Sequence, residues 1–307
     1  SAPLSAVFEP ACADRLYSVR YVRDLLAEHH IRLKKSLGQN FLVERNAVDA
    51  VTRAAQIGAD DVVLEIGAGI GHLTRMLAQR ARQVIAVEVD ARLIPLLTQH
   101  VRDRVNCSVV HGDILADALD AWGRKSEPVP TCVVANVPYH ISTPILTRLI
   151  TARLPLRQVT LTLQREAAER FTAPMGSPRY GAIALGVQYW GQARIVSSVA
   201  RTCFFPVPGV DSVVLRIVKH ATPPVPLEDA TFFFEMLDTA FAQPRKMLRN
   251  TLQPLQARGC DTAAALTAAG IDGRRRAATL CLADAARLSA YLRASIGAAR
   301  GSDSAPR

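Results

Sequence analysis

Asn136, Pro138 and Tyr139 lie side by side in "VVANVPYHIST" (133–143), where a short apolar run ends. A carboxamide, a rigid imide and a phenol together suit the activation of an exocyclic amine on a flat base. Such an amine has two N–H donors, and its lone pair is delocalised into the ring. The Asn136 side-chain oxygen and a carbonyl near Pro138 would hold both hydrogens and favour a tetrahedral, nucleophilic nitrogen. Proline brings no competing N–H and fixes the local backbone. Tyr139 offers a face on which a base taken out of its stack can lie.

A second group of residues suits a nucleoside cofactor. "VVLEIGAGIGHL" puts Gly67, Gly69 and Gly71 between an apolar run and an amphipathic one. A glycine-rich turn from strand to helix lets backbone approach a ligand at the helix N-terminus. A dinucleotide fingerprint needs glycine three residues after Gly69, where this chain has His72. With Glu65 ahead of it, the pattern suits a methionine-bearing nucleoside better than a pyrophosphate. Glu88 follows Gly67 by 21 residues, the spacing at which a carboxylate holds ribose hydroxyls. Asp113, in "HGDIL", extends the series to a third strand end, where it would accept from an adenine amino group; alone it reads as a turn or helix cap.

These residues require a scaffold that brings successive strand ends to one edge. "DVVLEIG", "QVIAVEV", "NCSVVHGD", "TCVVANV" and "QVTLTLQ" read as buried strands. Between them, segments such as "HLTRMLAQRA" and "ARLIPLLTQHV" have helical period. Strand-helix alternation predicts an α/β fold with a doubly wound, mostly parallel sheet, whose ligands bind beyond the carboxyl ends of the strands. "ARIVSSVA" and "SVVLRIVKH" predict an antiparallel hairpin at one edge. The proline-rich 221–226 reads as a linker. The expected division is a helical extension over 1–30, a cofactor-binding domain over 31–220 and an all-helical domain over 227–307.

Net charge is +10, from 37 Lys and Arg against 27 Asp and Glu. Ten basic and only three acidic residues fall between Phe241 and Arg300. That excess points to a solvated face or to a polyanion partner, nucleic acid above all. Six cysteines without a CxxC pair suit neither a zinc site nor a disulfide framework, so reduced thiols and no metal are expected. No apolar run predicts a membrane span, and "SAPLSAVFEPACADRL" lacks the pattern of a secretory leader.

"KKSLGQNFL" (34–42), "NVPYHISTPIL", "CFFPVPGVDS" and "AFAQPRKMLRN", in this order, resemble the ribosomal RNA adenine dimethyltransferases, the small-subunit enzymes most closely. The resemblance runs from about Lys34 to Leu292. It implies a Rossmann-like class I methyltransferase that uses S-adenosylmethionine and transfers two methyls to N6 of each of two adjacent adenosines. Their place would be near the 3′ end of small-subunit (16S) RNA. It implies cofactor contacts at Asn40, Leu42, Gly67, Glu88, Asp113 and Asn136. The target adenine would lie against Tyr139, with Phe204 closing the pocket, although Phe204 alone reads as a core residue. RNA contacts would come from Arg245, Lys246 and Arg249. A monomer in the cytoplasm, acting on an assembling 30S particle, completes the expectation.

Two positions depart from the family pattern. His140 stands where asparagine is common, and Pro244 where the family has an arginine. The rivals are a large-subunit (23S) methyltransferase of macrolide resistance, a catalytically silent RNA-binding relative and a nicotinamide dehydrogenase. Intact Asn136, Pro138 and Tyr139 disfavour the silent relative, and His72 disfavours the dehydrogenase.

Overall fold

The computed structural model describes residues 15–34, 37–117 and 128–301. By contacts the chain divides into two compact units, one of residues up to 168 together with 194–218, the other of 169–193 together with residues from 219 onward.

The first unit is built on a seven-stranded sheet. Its strands are β2 (Val62–Ile66), β3 (Gln83–Glu88), β4 (Cys107–His111), β5 (Cys132–Asn136), β6 (Gln158–Gln164), β7 (Gly191–Val199) and β9 (Ser212–Lys219), in the order β4-β3-β2-β5-β6-β9-β7. The first five pair in parallel, and β9 runs antiparallel to β6. All five residues of β2 are buried, which is why it reads as unbroken "VVLEI" and not as an alternation. The five expected strands are present, and β9 and β7 are neighbours at one edge. The expected hairpin is interrupted: β8 (Phe204–Phe205) lies between them in sequence and pairs instead with β1 (Phe41–Leu42) in a separate two-stranded sheet.

Helices cover this sheet. α1 (Val19–Glu28) buries Val22, Leu25 and Leu26, and α2 (Arg45–Ala54) starts where Glu44 accepts from the Ala47 N–H at 2.7 Å. α3 (His72–Ala78) and α4 (Ile94–Val101) follow β2 and β3, and α5 (Ser142–Thr151) follows β5. Val48 and Val51 of α2 pack with Leu73 and Leu77 of α3 over Val63 and Val134 of the sheet. Helix formation over the N-terminal extension begins at a capped turn, with Ser18 as N-cap, and residues 1–14 of the expected extension lie outside the described residues.

The strand order reverses between β2 and β5, since β3 and β4 are added on one side and β6 on the other. Such a switch point leaves a crevice beyond the carboxyl ends of the two strands. The glycine turn follows β2, and Asn136 ends β5.

The second unit is helical, with α6 (Arg165–Phe171) entering it. Its members are α7 (Ala182–Trp190), α8 (Ala230–Phe241), the short α9 (Leu248–Thr251) and α10 (Gln253–Gln256), α11 (Thr262–Ala268) and α12 (Leu282–Gly301). The sequence reading divided the chain at 221–226, whereas the contacts assign 169–193 to this unit. The reason is packing. Tyr180, Ala184 and Leu185 are buried with Phe232, Phe233 and Leu288, and the Tyr180 hydroxyl donates to the Leu280 carbonyl at 2.9 Å. None of the helices among the described residues is long and apolar enough to cross a membrane.

Candidate active site

At the switch point the backbone does what only glycine allows. Gly67 and Gly69 have φ of 73° and 59°, and a Cβ on Gly69 would sit 2.8 Å from the Phe41 ring. The turn is fastened on its β3 side. Gly67 and Ala68 both donate to the Val87 carbonyl, and Gly69 N–H donates to Glu88 Oε2 at 2.8 Å. The other Glu88 oxygen accepts from Asp90 N–H at 2.9 Å. Glu88 is only 5% exposed, and burial raises its pKa above the ordinary carboxylate value while these two N–H groups pull it back.

The opposite wall is the segment 37–42. Asn136 Nδ2 donates to the Asn40 carbonyl at 2.8 Å, and Asn40 Nδ2 donates to the Gly38 carbonyl at 3.1 Å. A carbonyl accepts only from the NH2 end of a carboxamide, so this bond fixes the Asn136 orientation and leaves Oδ1 as the acceptor end of the group. Gly38, at φ 58°, approaches so closely that a Cβ there would meet Pro138 Cβ at 2.8 Å and the His140 ring at 3.3 Å. Gln39 accepts from Lys34 N–H at 2.8 Å and donates to Asp90 Oδ2 at 2.9 Å. Arg92 chelates the same Asp90, and this bond, first among several, holds the Asp90 carboxyl well below its usual range.

The two walls share one cavity. Asn40, Gly67, Gly69, Glu88, Asn136 and Pro138 all line it, so six of the residues singled out from sequence meet. Others are elsewhere. Leu42 is 4% exposed and packs in the apolar core. Phe204 does not line this cavity: it is 1% exposed and lies in that same core. Asp113 is exposed, and its Oδ1 accepts from Leu115 N–H at 2.8 Å, the capping role that its type suggests by itself. Tyr139 opens a short 3-10 turn (Tyr139–Ile141), and its side chain lies outside what the structure describes. Sequence reading missed Gly38, Gln39, Asp90 and Arg92. A positive-φ glycine inside "KKSLGQNFL" was the available signal for the first.

The cavity fits a nucleoside with a charged amino-acid tail. Gly67, Gly69 and the buried Glu88 all line it, the turn without side chains and Glu88 as a carboxylate. Among the described residues there is no group of three His, Cys, Asp or Glu arranged to hold a metal ion.

The second unit carries the cationic residues. Pro244 occupies the second position of a turn closed by Lys246 N–H to the Gln243 carbonyl at 2.9 Å, which suits its fixed φ. Arg245, Lys246 and Arg249 are exposed. An isolated bridge joins Met247 to Arg276, with Leu248 N–H donating to the Arg275 carbonyl at 2.8 Å. This bridge gathers the separate runs "PRKMLR" and "GRRR" onto one surface. Arg274 and Arg275 are paired with Asp272 and Asp284, while Arg276 is exposed.

Comparisons with known proteins identify the family. The family described as ribosomal RNA adenine dimethylase matches residues 30–294. A ribosomal RNA small subunit methyltransferase A from Geobacillus thermodenitrificans is 42% identical over 273 residues, covering 87% of this chain and 93% of the relative. The protein of the same name from Geobacillus kaustophilus is 40% identical with the same coverage. Among solved structures, a dimethyladenosine transferase from Plasmodium falciparum superposes with a TM-score of 0.64 at 25% identity, covering 79% of this chain and 94% of that one. A 23S rRNA methyltransferase, ErmE, gives 0.59 at 28% identity, covering 82% and 99%. The chain belongs to the ribosomal RNA adenine dimethylase family, the rRNA adenine dimethyltransferases whose methyl donor is S-adenosylmethionine.

Proposed function

We propose that this protein dimethylates N6 of two adjacent adenosines near the 3′ end of small-subunit ribosomal RNA, within an assembling 30S particle. The observation that carries the reading is the Asn136–Asn40 hydrogen bond, which fixes the Asn136 carboxamide in a cavity that the glycine turn also lines. Asn136 Oδ1 accepts one N6 hydrogen of the target base. The Pro138 carbonyl accepts from Ile141 N–H at 3.1 Å, which favours the Val137 carbonyl as the second acceptor. Held at both hydrogens, the nitrogen becomes more tetrahedral and its lone pair turns outward. When bound, S-adenosylmethionine supplies an electrophilic methyl carbon. Glu88 holds the ribose hydroxyls, and the open backbone of Gly67 and Gly69 admits the tail. After one methyl is transferred a single N–H remains, so Asn136 and Val137 no longer both have a hydrogen to hold.

Tyr139 provides the stacking face, whereas cofactor contacts by Leu42 and Asp113 would require a conformation other than the described one, in which neither lines the cavity. Phe204 would reach the adenine only by leaving the core. Arg245, Lys246 and Arg249 anchor RNA phosphates, and the helical residues 227–307 serve as the RNA-binding domain. The small-subunit substrate is favoured over the large-subunit one by identities of 42% and 40% to small-subunit enzymes, against 28% to ErmE. A ribosomal RNA substrate supports action in the cytoplasm.

The test is mass spectrometry of small-subunit RNA particles treated with the protein and isotopically labelled S-adenosylmethionine. Two adjacent N6,N6-dimethyladenosines are expected. Label confined to large-subunit RNA, or none, would overturn the reading.

A further inference from the structure

The glycine turn is held from β3 by Glu88, but its far side is held by other residues, and these lead to the N-terminal segment. The Ile70 carbonyl, inside the turn, accepts from His100 Nδ1 at 2.8 Å. A carbonyl has no proton to give, so Nδ1 carries the hydrogen; the neutral tautomer leaves Nε2 as an acceptor. Its partner there is the Tyr21 hydroxyl, at 3.1 Å. One residue past the turn, the His72 backbone carbonyl accepts from the Tyr17 hydroxyl at 3.1 Å. The His72 ring returns a bond to the same segment, donating Nε2–H to the Leu16 carbonyl at 2.9 Å.

Packing reinforces these bonds. Leu16, Val22 and Leu26 are buried in one cluster with Ile70, Leu93 and Leu96. His72 is 4% exposed and His100 fully buried, and burial pushes the His72 pKa down to about 3, so the ring is neutral. Gly71 is pressed against α4, where a Cβ would meet Leu97 Cδ1 at 3.1 Å. The turn therefore cannot shift without moving His72 and His100, and both rings are bonded to residues 16–21. The family match begins only at residue 30, so this contact belongs to a part of the chain outside the family core.

We infer that residues 15–28 are a strap that positions the cofactor-binding turn, with Tyr17 and Tyr21 acting through His72 and His100. The inference rests on the reading of Gly67–Gly71 as the S-adenosylmethionine turn. The strap restricts the turn in the free protein to the shape that accepts the cofactor, so less order has to be gained on binding.

The experiment uses the full chain with Tyr17 and Tyr21 both replaced by Phe, which keeps the rings in the core and removes only the two hydroxyls. Calorimetry with S-adenosylmethionine should show affinity weakened by about five- to tenfold, the scale of one or two lost hydrogen bonds. At saturating cofactor kcat should stay within about twofold of the parent, and the KM for RNA should not move, because neither tyrosine touches a reacting atom. Amide exchange at residues 67–72 should accelerate in the free variant. Should the variant melt far below the parent, Tyr21→Phe alone, which leaves the Tyr17 contacts in place, is measured in the same way. Unchanged cofactor affinity in a folded variant, or unchanged exchange at the turn, would overturn the strap. A parent protein that does not bind S-adenosylmethionine would instead overturn the cofactor reading on which it rests.

Discussion

Glu88 holds the glycine turn before any ligand arrives, accepting the Gly69 N–H on one carboxylate oxygen and the Asp90 N–H on the other. The residue proposed to hold the ribose is thus also a fastener of the glycine turn. Glu88→Ala should remove both functions and leave two buried N–H groups unsatisfied. Cofactor affinity should fall by about 1.5–3 kcal/mol, the range for hydrogen bonds to a charged group. Glu88→Gln can accept from only one of the two N–H groups and should fall between parent and alanine. Calorimetry on the three proteins gives the ordering.

Gly38→Ala tests the wall formed by 37–42. Its added Cβ would collide with Pro138 Cβ at 2.8 Å, at a backbone φ of 58° that disfavours alanine in any case. Displacing this segment breaks the register of the Asn40 carbonyl with Asn136. A stability loss of about 1–3 kcal/mol is expected from such strain, with a larger proportional loss of methylation than of folded protein. Thermal melts beside activity assays measure both.

Glu65 makes stability fall with rising pH. It is 1% exposed in β2, and burial lifts its carboxyl to about 8. The folded state therefore holds a proton that the unfolded state releases at its ordinary, lower pKa. The favourable contribution is complete below the unfolded value and is lost as pH climbs towards 8. Asp61, bonded to Arg157 and Gly58, titrates below its ordinary value and acts in the opposite sense, withdrawing stability only in acid. Glu65→Gln should flatten the decline between pH 5 and 8.5 by an amount on the order of a few kcal/mol. Urea titrations across this range check it, and an identical slope in parent and variant would refute it.

Charge reversal at Arg245, Lys246 and Arg249 should weaken RNA binding and make it less sensitive to salt. The slope against salt should shrink by roughly one unit for each phosphate that the protein no longer neutralises. Cofactor binding should be unchanged. Fluorescence anisotropy with labelled small-subunit RNA at several salt concentrations reads both quantities.

Much of this site was legible because strand ends are predictable. Five short apolar runs alternating with helical segments announce a parallel sheet, and the residue that follows each run must fall on one edge. Glu88 followed from that together with its spacing after Gly67, and Asn136 from that together with the Pro138 and Tyr139 beside it, whereas Asn40 required the family resemblance. Phe204, which the resemblance placed beside the target adenine, lies in the core, and a two-residue strand has no alternation from which to read its side. Residues 169–193 read as part of the first domain because "AIALGVQYW" is apolar without naming the core that it enters. The Met247–Arg276 bridge and the Gln39–Asp90–Arg92 set join residues far apart in sequence, for which local pattern holds no signal.

The central claim is that Asn136, locked by the Asn40 carbonyl, holds the amine that is methylated. Single-turnover methylation of small-subunit RNA by Asn136→Ala, with saturating cofactor and a thermal melt of the same preparation, addresses it directly. A rate lower by about 10²–10³, the typical worth of a hydrogen bond made in the transition state, is predicted for protein that remains folded. A well-folded variant that methylates at the parental rate would contradict the account.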